Sequence, residues 1–139
     1  MKKINTRFGE VEYDPDNLLN FPAGLIGLPN LRNFVVMPNK KEGPLFWIQC
    51  IDDPDIAFIL TDPTNFFLDY QLSPEESERQ SLQITEDDEV FILSVVTVPQ
   101  DQKITINLAA PILFAPKTNR AIQVILENSP HSSKTPLPQ

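Results

Sequence analysis

The sequence predicts an all-β fold: a small, partly open antiparallel β-barrel-like domain with one short surface helix. Three observations carry this reading. The 14 prolines and only 4 glycines fall between short runs rich in Val, Ile, Phe and Thr, the punctuation of strands by turns. Within those runs apolar residues recur at every second position, the period of a strand. Only one segment, Ser73-Pro74-Glu75-Glu76, carries the signature of a helix start. About nine or ten short strands result, and strands in that number protect their edges best by curling into a barrel or packing as two sheets.

The elements follow in order. Ile4, Thr6 and Phe8 share one face of a first strand, and Gly9 permits a reversal into Val11 and Tyr13, giving an N-terminal hairpin. Leu18 to Phe21 make a brief strand that stops at Pro22. Pro22 to Pro29 then hold Leu25, Ile26 and Leu28 on a backbone broken by two glycines and two prolines, an ordered or binding loop. A strand over Phe34 to Met37 and a charged turn over 39–43 lead to Leu45 to Ile51, where Phe46, Ile48 and Cys50 oppose Trp47, Gln49 and Ile51. This run, Ile56 to Thr61 and Val90 to Val98 are apolar on both faces and read as central strands.

Ile104 to Leu108 alternates, with Asn107 interrupting the apolar pattern as a structural amide. Pro111 to Phe114 and Ala121 to Leu126 are two further strands joined by a turn over Pro116 to Arg120. In the helix signal Ser73 is the expected N-cap, Pro74 the first helical residue and Glu76 the reciprocal partner of the cap. The helix is otherwise polar apart from Leu82 and reads as a surface connection. At 139 residues and 15.8 kDa one domain is expected over 1–128, followed by a disordered tail over 129–139, where no apolar periodicity persists.

Composition excludes more than it names. With 11 Lys+Arg against 19 Asp+Glu, the net charge of −8 opposes direct nucleic-acid binding, which depends on cations that displace counterions. Cys50 and His131 are the only residues of their types. Intrachain disulfides, zinc cages and Cys-His or Ser-His-Asp catalysis are therefore not expected. No apolar segment approaches the length of a membrane span and no signal-like apolar stretch follows the basic start, so a cytoplasmic location is expected. Asp52-Asp53-Pro54-Asp55 and Glu86-Asp87-Asp88-Glu89 are dense in carboxylates but lack the ligand spacing of a calcium loop. Cofactors and metals are expected to be none. An acidic surface with apolar, proline-framed segments fits a protein-binding module with a cationic partner. Two other classes stay open, an enzyme built on a carboxylate cluster and a self-associating structural subunit.

Several motifs carry a resemblance. Phe21-Pro22-Ala23-Gly24-Leu25-Ile26-Gly27-Leu28, then Phe46 to Phe58 with Asp52-Asp53-Pro54-Asp55 inside it, then Thr61-Asp62-Pro63, occur in an order that resembles the flagellar assembly factor FliW family. Ile92 to Thr97, Thr105 to Ile112 and Ala121 to Leu126 continue the match in order. The chain differs from the family in having Leu28 where phenylalanine is usual and Cys50 where serine is frequent.

The resemblance implies a non-enzymatic protein that binds newly made flagellin. When flagellin is scarce, it would instead bind and antagonise CsrA, an RNA-binding translational repressor of flagellin mRNA. The alternative is a flagellin-binding chaperone without CsrA antagonism. The candidate partner-binding residues are Glu86, Asp87, Asp88 and Glu89, with Leu25, Ile26 and Leu28 of the loop, and the free protein is expected to be a monomer.

Overall fold

The computed structural model describes residues 1–37, 43–98, 103–127 and 130–137. The expected hairpin is strands β1 (Lys2–Thr6) and β2 (Gly9–Tyr13), paired from Lys2↔Tyr13 to Thr6↔Gly9. Gly9 sits at φ +89°, a left-handed turn position open to glycine without strain. This hairpin forms its own two-stranded sheet. Its tip is held against the next sheet by Phe8, whose ring meets Trp47 edge-on at 5.1 Å, and by Arg7 over the Trp47 ring at 5.4 Å.

The other strands are β3 (Leu19–Asn20), β4 (Asn33–Val36), β5 (Leu45–Cys50), β6 (Ala57–Thr61), β7 (Phe91–Thr97), β8 (Thr105–Ile106), β9 (Ile112–Ala115), β10 (Arg120–Gln123) and β11 (Thr135–Pro136). They form one sheet in the order β11-β8-β7-β6-β5-β4-β3-β10-β9, and β9 pairs back onto β7. Phe91↔Phe114, Ile92↔Leu113 and Leu93↔Ile112 make that last seam. The sheet therefore closes on itself as a seven-stranded barrel, β7 through β9, where the sequence suggested a partly open one. All pairings are antiparallel except β3 with β10, which run parallel through Arg120↔Asn20.

Closure explains the two-faced apolar strands. Phe21, Phe34, Ile48, Cys50, Leu60, Ile112 and Ala121 are fully or almost fully buried in one cluster inside the barrel. The opposite faces are buried as well, under chain that wraps the outside. Tyr70 and the segment around it cover Val96, Ile106 and Leu108. The helix α1 (Glu76–Leu82) brings Leu82, with Ile84 after it, onto Leu113 and Ala115.

The helix begins later than its signal suggested. Glu75 is the N-cap, and the Glu78 side chain accepts from the Glu75 backbone N–H at 2.8 Å, a reciprocal cap two residues beyond the expected pair Ser73 and Glu76. The helix ends at Gln83, in the left-handed region at φ 59°.

The expected disordered tail is corrected over its described part. Thr135 and Pro136 pair with Ile106 and Thr105, Leu108 N–H donates to Ser132 O, and Leu137 packs on the Tyr70 cluster. The His131 ring meets Tyr70 edge-on at 4.8 Å. The sequence signal failed because so short a strand has no measurable alternation, and its stability comes from a free edge on β8 that only the fold supplies. Most of the charged turn over 39–43, residue 128, and residues 129, 138 and 139 of the tail lie outside the described residues.

Candidate functional site

Strand directions assign every candidate residue to one end of the barrel or the other. At one end, the connection from β3 to β4 folds over the opening. Leu25 and Leu31 point into the barrel cluster and are 6% and 8% exposed. Leu25 and Leu28 pair backbone to backbone, with Leu28 N–H donating at 2.8 Å and Leu25 N–H at 3.2 Å. Ile26 N–H donates to Gln123 Oε1 at 2.9 Å, which ties the loop to β10. Gly24 makes the turn possible: it lies at φ +70°, and a Cβ there would stand 2.6 Å from Leu28 O and Pro29 Cα.

Of the three loop residues expected to bind a partner, Leu25 is a plug in the core. Only Ile26 and Leu28 are exposed, at 47% and 39%.

The β5–β6 turn belongs to this same end. Asp52 Oδ2 accepts from the backbone N–H groups of Arg32 and Asn33, both at 2.8 Å. Burial alone would raise the Asp52 carboxyl, but these hydrogen bonds outweigh it and hold the group below the ordinary 3.8. Asp53 Oδ1 accepts from Asp55 N–H. Asp52 thus fastens the turn to the end of the loop, and Asp53 shapes the turn itself. Among the described residues no group of three or more His, Cys, Asp or Glu is placed to hold a metal ion. Cys50 lies wholly inside the barrel, its thiol pushed up by burial, the state of an unreactive sulfur.

Among the described residues the opposite end is open. Leu19, Val36, Phe46, Phe91, Leu93 and Phe114, from five strands of the barrel, line a cavity of about 270 Å³ with no polar lining. Val36 is 54% and Phe91 43% exposed, and the Phe91 and Phe114 rings stack at 6.4 Å. Leu19, Val36 and Phe114 also line an adjoining groove of about 360 Å³ that continues to Met1, Glu12, Tyr13, Asp14, Asn17 and Asn119.

The acidic run ends two residues before Phe91, so it stands beside this mouth. Its four carboxylates are not equivalent. Asp88 folds back: its Oδ2 accepts from Thr85 N–H at 2.8 Å and Oγ1 at 3.2 Å, and its Oδ1 lies 3.3 Å from Lys117 Nζ. The Thr85 backbone hydrogen bond, with help from Lys117, holds Asp88 below its ordinary range. Glu86, Asp87 and Glu89 are exposed. The structure thus separates the two sets of candidates: the run lies at the open end, the loop at the plugged end.

Sequence reasoning missed the mouth itself. Its six residues are spread from 19 to 114 and each sits in an ordinary alternating position. The one available clue was Phe91, an aromatic one residue removed from four acids.

Comparison with known proteins agrees with this architecture. The family model described as FliW protein matches residues 2–137. The chain belongs to the FliW family. It is 68% identical to flagellar assembly factor FliW 2 of Desulfotalea psychrophila over 99% of this chain and 91% of that protein. It is 62% identical to flagellar assembly factor FliW of Syntrophotalea carbinolica, over 99% of this chain and 98% of that one. A crystal structure of the flagellar assembly factor FliW superposes with a TM-score of 0.88 at 27% identity, covering 99% of this chain and 98% of the other. The FliW fold is therefore the closed barrel described above. Among the described residues no helix is long and apolar enough to cross a membrane.

Proposed function

We propose that this FliW-family chain is a non-enzymatic, cytoplasmic flagellar assembly factor that binds flagellin and, by partner switching, binds CsrA and relieves repression of flagellin mRNA. The observation that supports this reading is the pairing of an open apolar mouth with three exposed carboxylates, Glu86, Asp87 and Glu89. Flagellin would be captured through apolar surface. An RNA-binding repressor must carry cations for its polyanionic target, and a carboxylate cluster attracts that surface while disfavouring RNA beside it. Asp88 serves this function indirectly by fixing the shape of the run through Thr85 and Lys117.

The test uses Glu86→Gln, Asp87→Asn and Glu89→Gln together, leaving Asp88 intact, in binding assays with purified flagellin and CsrA. CsrA binding should weaken about tenfold and lose its salt dependence, with flagellin binding and the thermal midpoint unchanged. If the triple variant still strips CsrA from RNA at wild-type concentrations, the site is wrong, and exposed Ile26 and Leu28 are next to be tested. If wild-type protein binds flagellin and never CsrA, the function reduces to that of a flagellin-binding chaperone.

A further inference from the structure

The open mouth has a chemistry that selects its occupant. It is lined by six apolar side chains and is continuous, through Leu19, Val36 and Phe114, with a groove that ends at Glu12 and Asp14. At about 270 Å³ it is smaller than the roughly 300–1,000 Å³ of a cofactor or drug-sized site. It also lacks the convergent polar groups that orient such a ligand. One large apolar side chain fits it better.

Among the described residues carboxylates predominate around the mouth: Glu12, Asp14, Glu86, Asp87 and Glu89 are exposed, while Lys117 is engaged by Asp88, Arg120 is half-buried and the Met1 end of the chain lies in the groove. These carboxylates argue against a fatty acid or other anionic amphiphile. They also argue against a second copy of this chain, because a two-fold contact over the mouth would set like charges against one another.

We infer that the open mouth is a receptor for a single large apolar anchor residue presented on a lysine- or arginine-bearing segment of a partner protein. The anchor enters between Phe91, Phe114 and Val36, and the flanking cations lie along Glu12 and Asp14 on one side and Glu86, Asp87 and Glu89 on the other. A buried anchor in an apolar pocket with a charged rim is the arrangement in which few residues supply most of the binding energy. The inference rests on the reading that the chain acts by binding partner proteins, and it specifies what part of a partner is gripped.

The experiment follows amide resonances of the full chain by NMR during titration with acetyl-Lys-Lys-Trp-Lys-Lys-amide. Two control peptides replace the Trp by Ala or the four Lys by Glu. Shifts should concentrate at Val36, Phe91, Leu93 and Phe114, and either control should bind about tenfold more weakly or worse. Val36→Asp, at a position exposed enough to leave the fold intact, should abolish the mouth shifts. Glu12→Gln with Asp14→Asn should weaken the Lys peptide and should not weaken the Glu control.

No shifts, shifts centred elsewhere, indifference to the flanking charge, or mouth shifts that depend on protein concentration without peptide would each overturn the inference. Flagellin and CsrA are then tested against wild type and Val36→Asp. If wild type binds them and the variant binds equally well, the mouth is not the receptor while the proposed function stands. If wild type binds neither, the proposed function fails and the peptide map alone decides the mouth.

Discussion

The two ends of this barrel are built from similar residue types and have opposite fates. At one end the β3–β4 connection returns Leu25 and Leu31 into the interior and closes it. At the other, Val36, Phe91 and Phe114 stand at or next to the termini of their strands with nothing of the described chain across them, and a carbon-lined cavity opens to solvent. The difference lies in the connections. The eleven residues between Phe21 and Asn33, with glycines at positive φ, double back into the barrel, whereas at the open end the longer β6–β7 connection runs over the outside through Tyr70 and Leu82 and the β9–β10 turn is a tight reversal between Ala115 and Arg120. A barrel of apolar strands needs a plug at each end; where the described residues supply none, apolar surface is left for a partner.

This contrast can be broken most forcefully at the plug. Gly24→Ala puts a methyl group 2.6 Å from backbone atoms at φ +70°, and should cost about 3 kcal/mol in denaturant unfolding. Leu25→Ala, which leaves a cavity under the loop, should cost about 2–4 kcal/mol. An unchanged midpoint in either variant would mean that the plug is not part of the cooperative core.

Away from both ends, deleting 130–137 removes the β11 pairing and Leu137 from the Tyr70 cluster. It should lower stability by about 1–2 kcal/mol, read as a drop in the thermal midpoint. Asn107→Ala should cost a similar 1–2 kcal/mol, since Asn107 Oδ1 accepts from the N–H groups of Ala109 at 3.1 Å and Ala110 at 3.0 Å. Partner binding should fall only in proportion to that loss.

A smaller effect is expected from acid. The Asp52 pKa is lowered from 3.8 in the folded chain, so its contribution is complete above that value and is lost as pH falls through the lower folded one. Asp52→Asn should flatten the acid limb of the stability profile, and an unaltered limb would show that the fastening to Arg32 and Asn33 does not matter. The smallest change is expected at the open end. Val36→Ala, on a side chain 54% exposed, should stay within about 0.5 kcal/mol of wild type. A larger loss would show the mouth to be core.

The strands were legible because alternation is a local property: Leu45 to Cys50 and Phe91 to Thr97 were found where the sequence put them. So was the structural reading of Asn107. What the sequence could not show is which of two apolar faces points inward, since Ile92 and Leu93 look alike until the barrel closes. The candidate site was legible in part for the same reason. A contiguous run such as Glu86 to Glu89 is visible, but its split into three exposed acids and one internal acceptor depends on Thr85 and Lys117. The mouth is assembled from residues 19 to 114 and has no local signature at all.

The parallel pairing of β3 with β10 has a consequence for the order in which the protein can be made. Every other neighbour in the barrel from β3 to β7 is available as soon as the chain has emerged as far as Thr97, but β3 must wait for Arg120 to Gln123. During synthesis the nascent chain therefore carries two unpaired sheet edges for the time taken to add some two dozen residues. The closing step joins its most distant segments, a high-contact-order event that is intrinsically slow. A ribosome stalled before residue 120 would hold a sticky, open sheet, and it is at this stage of its life that the protein is most exposed to aggregation.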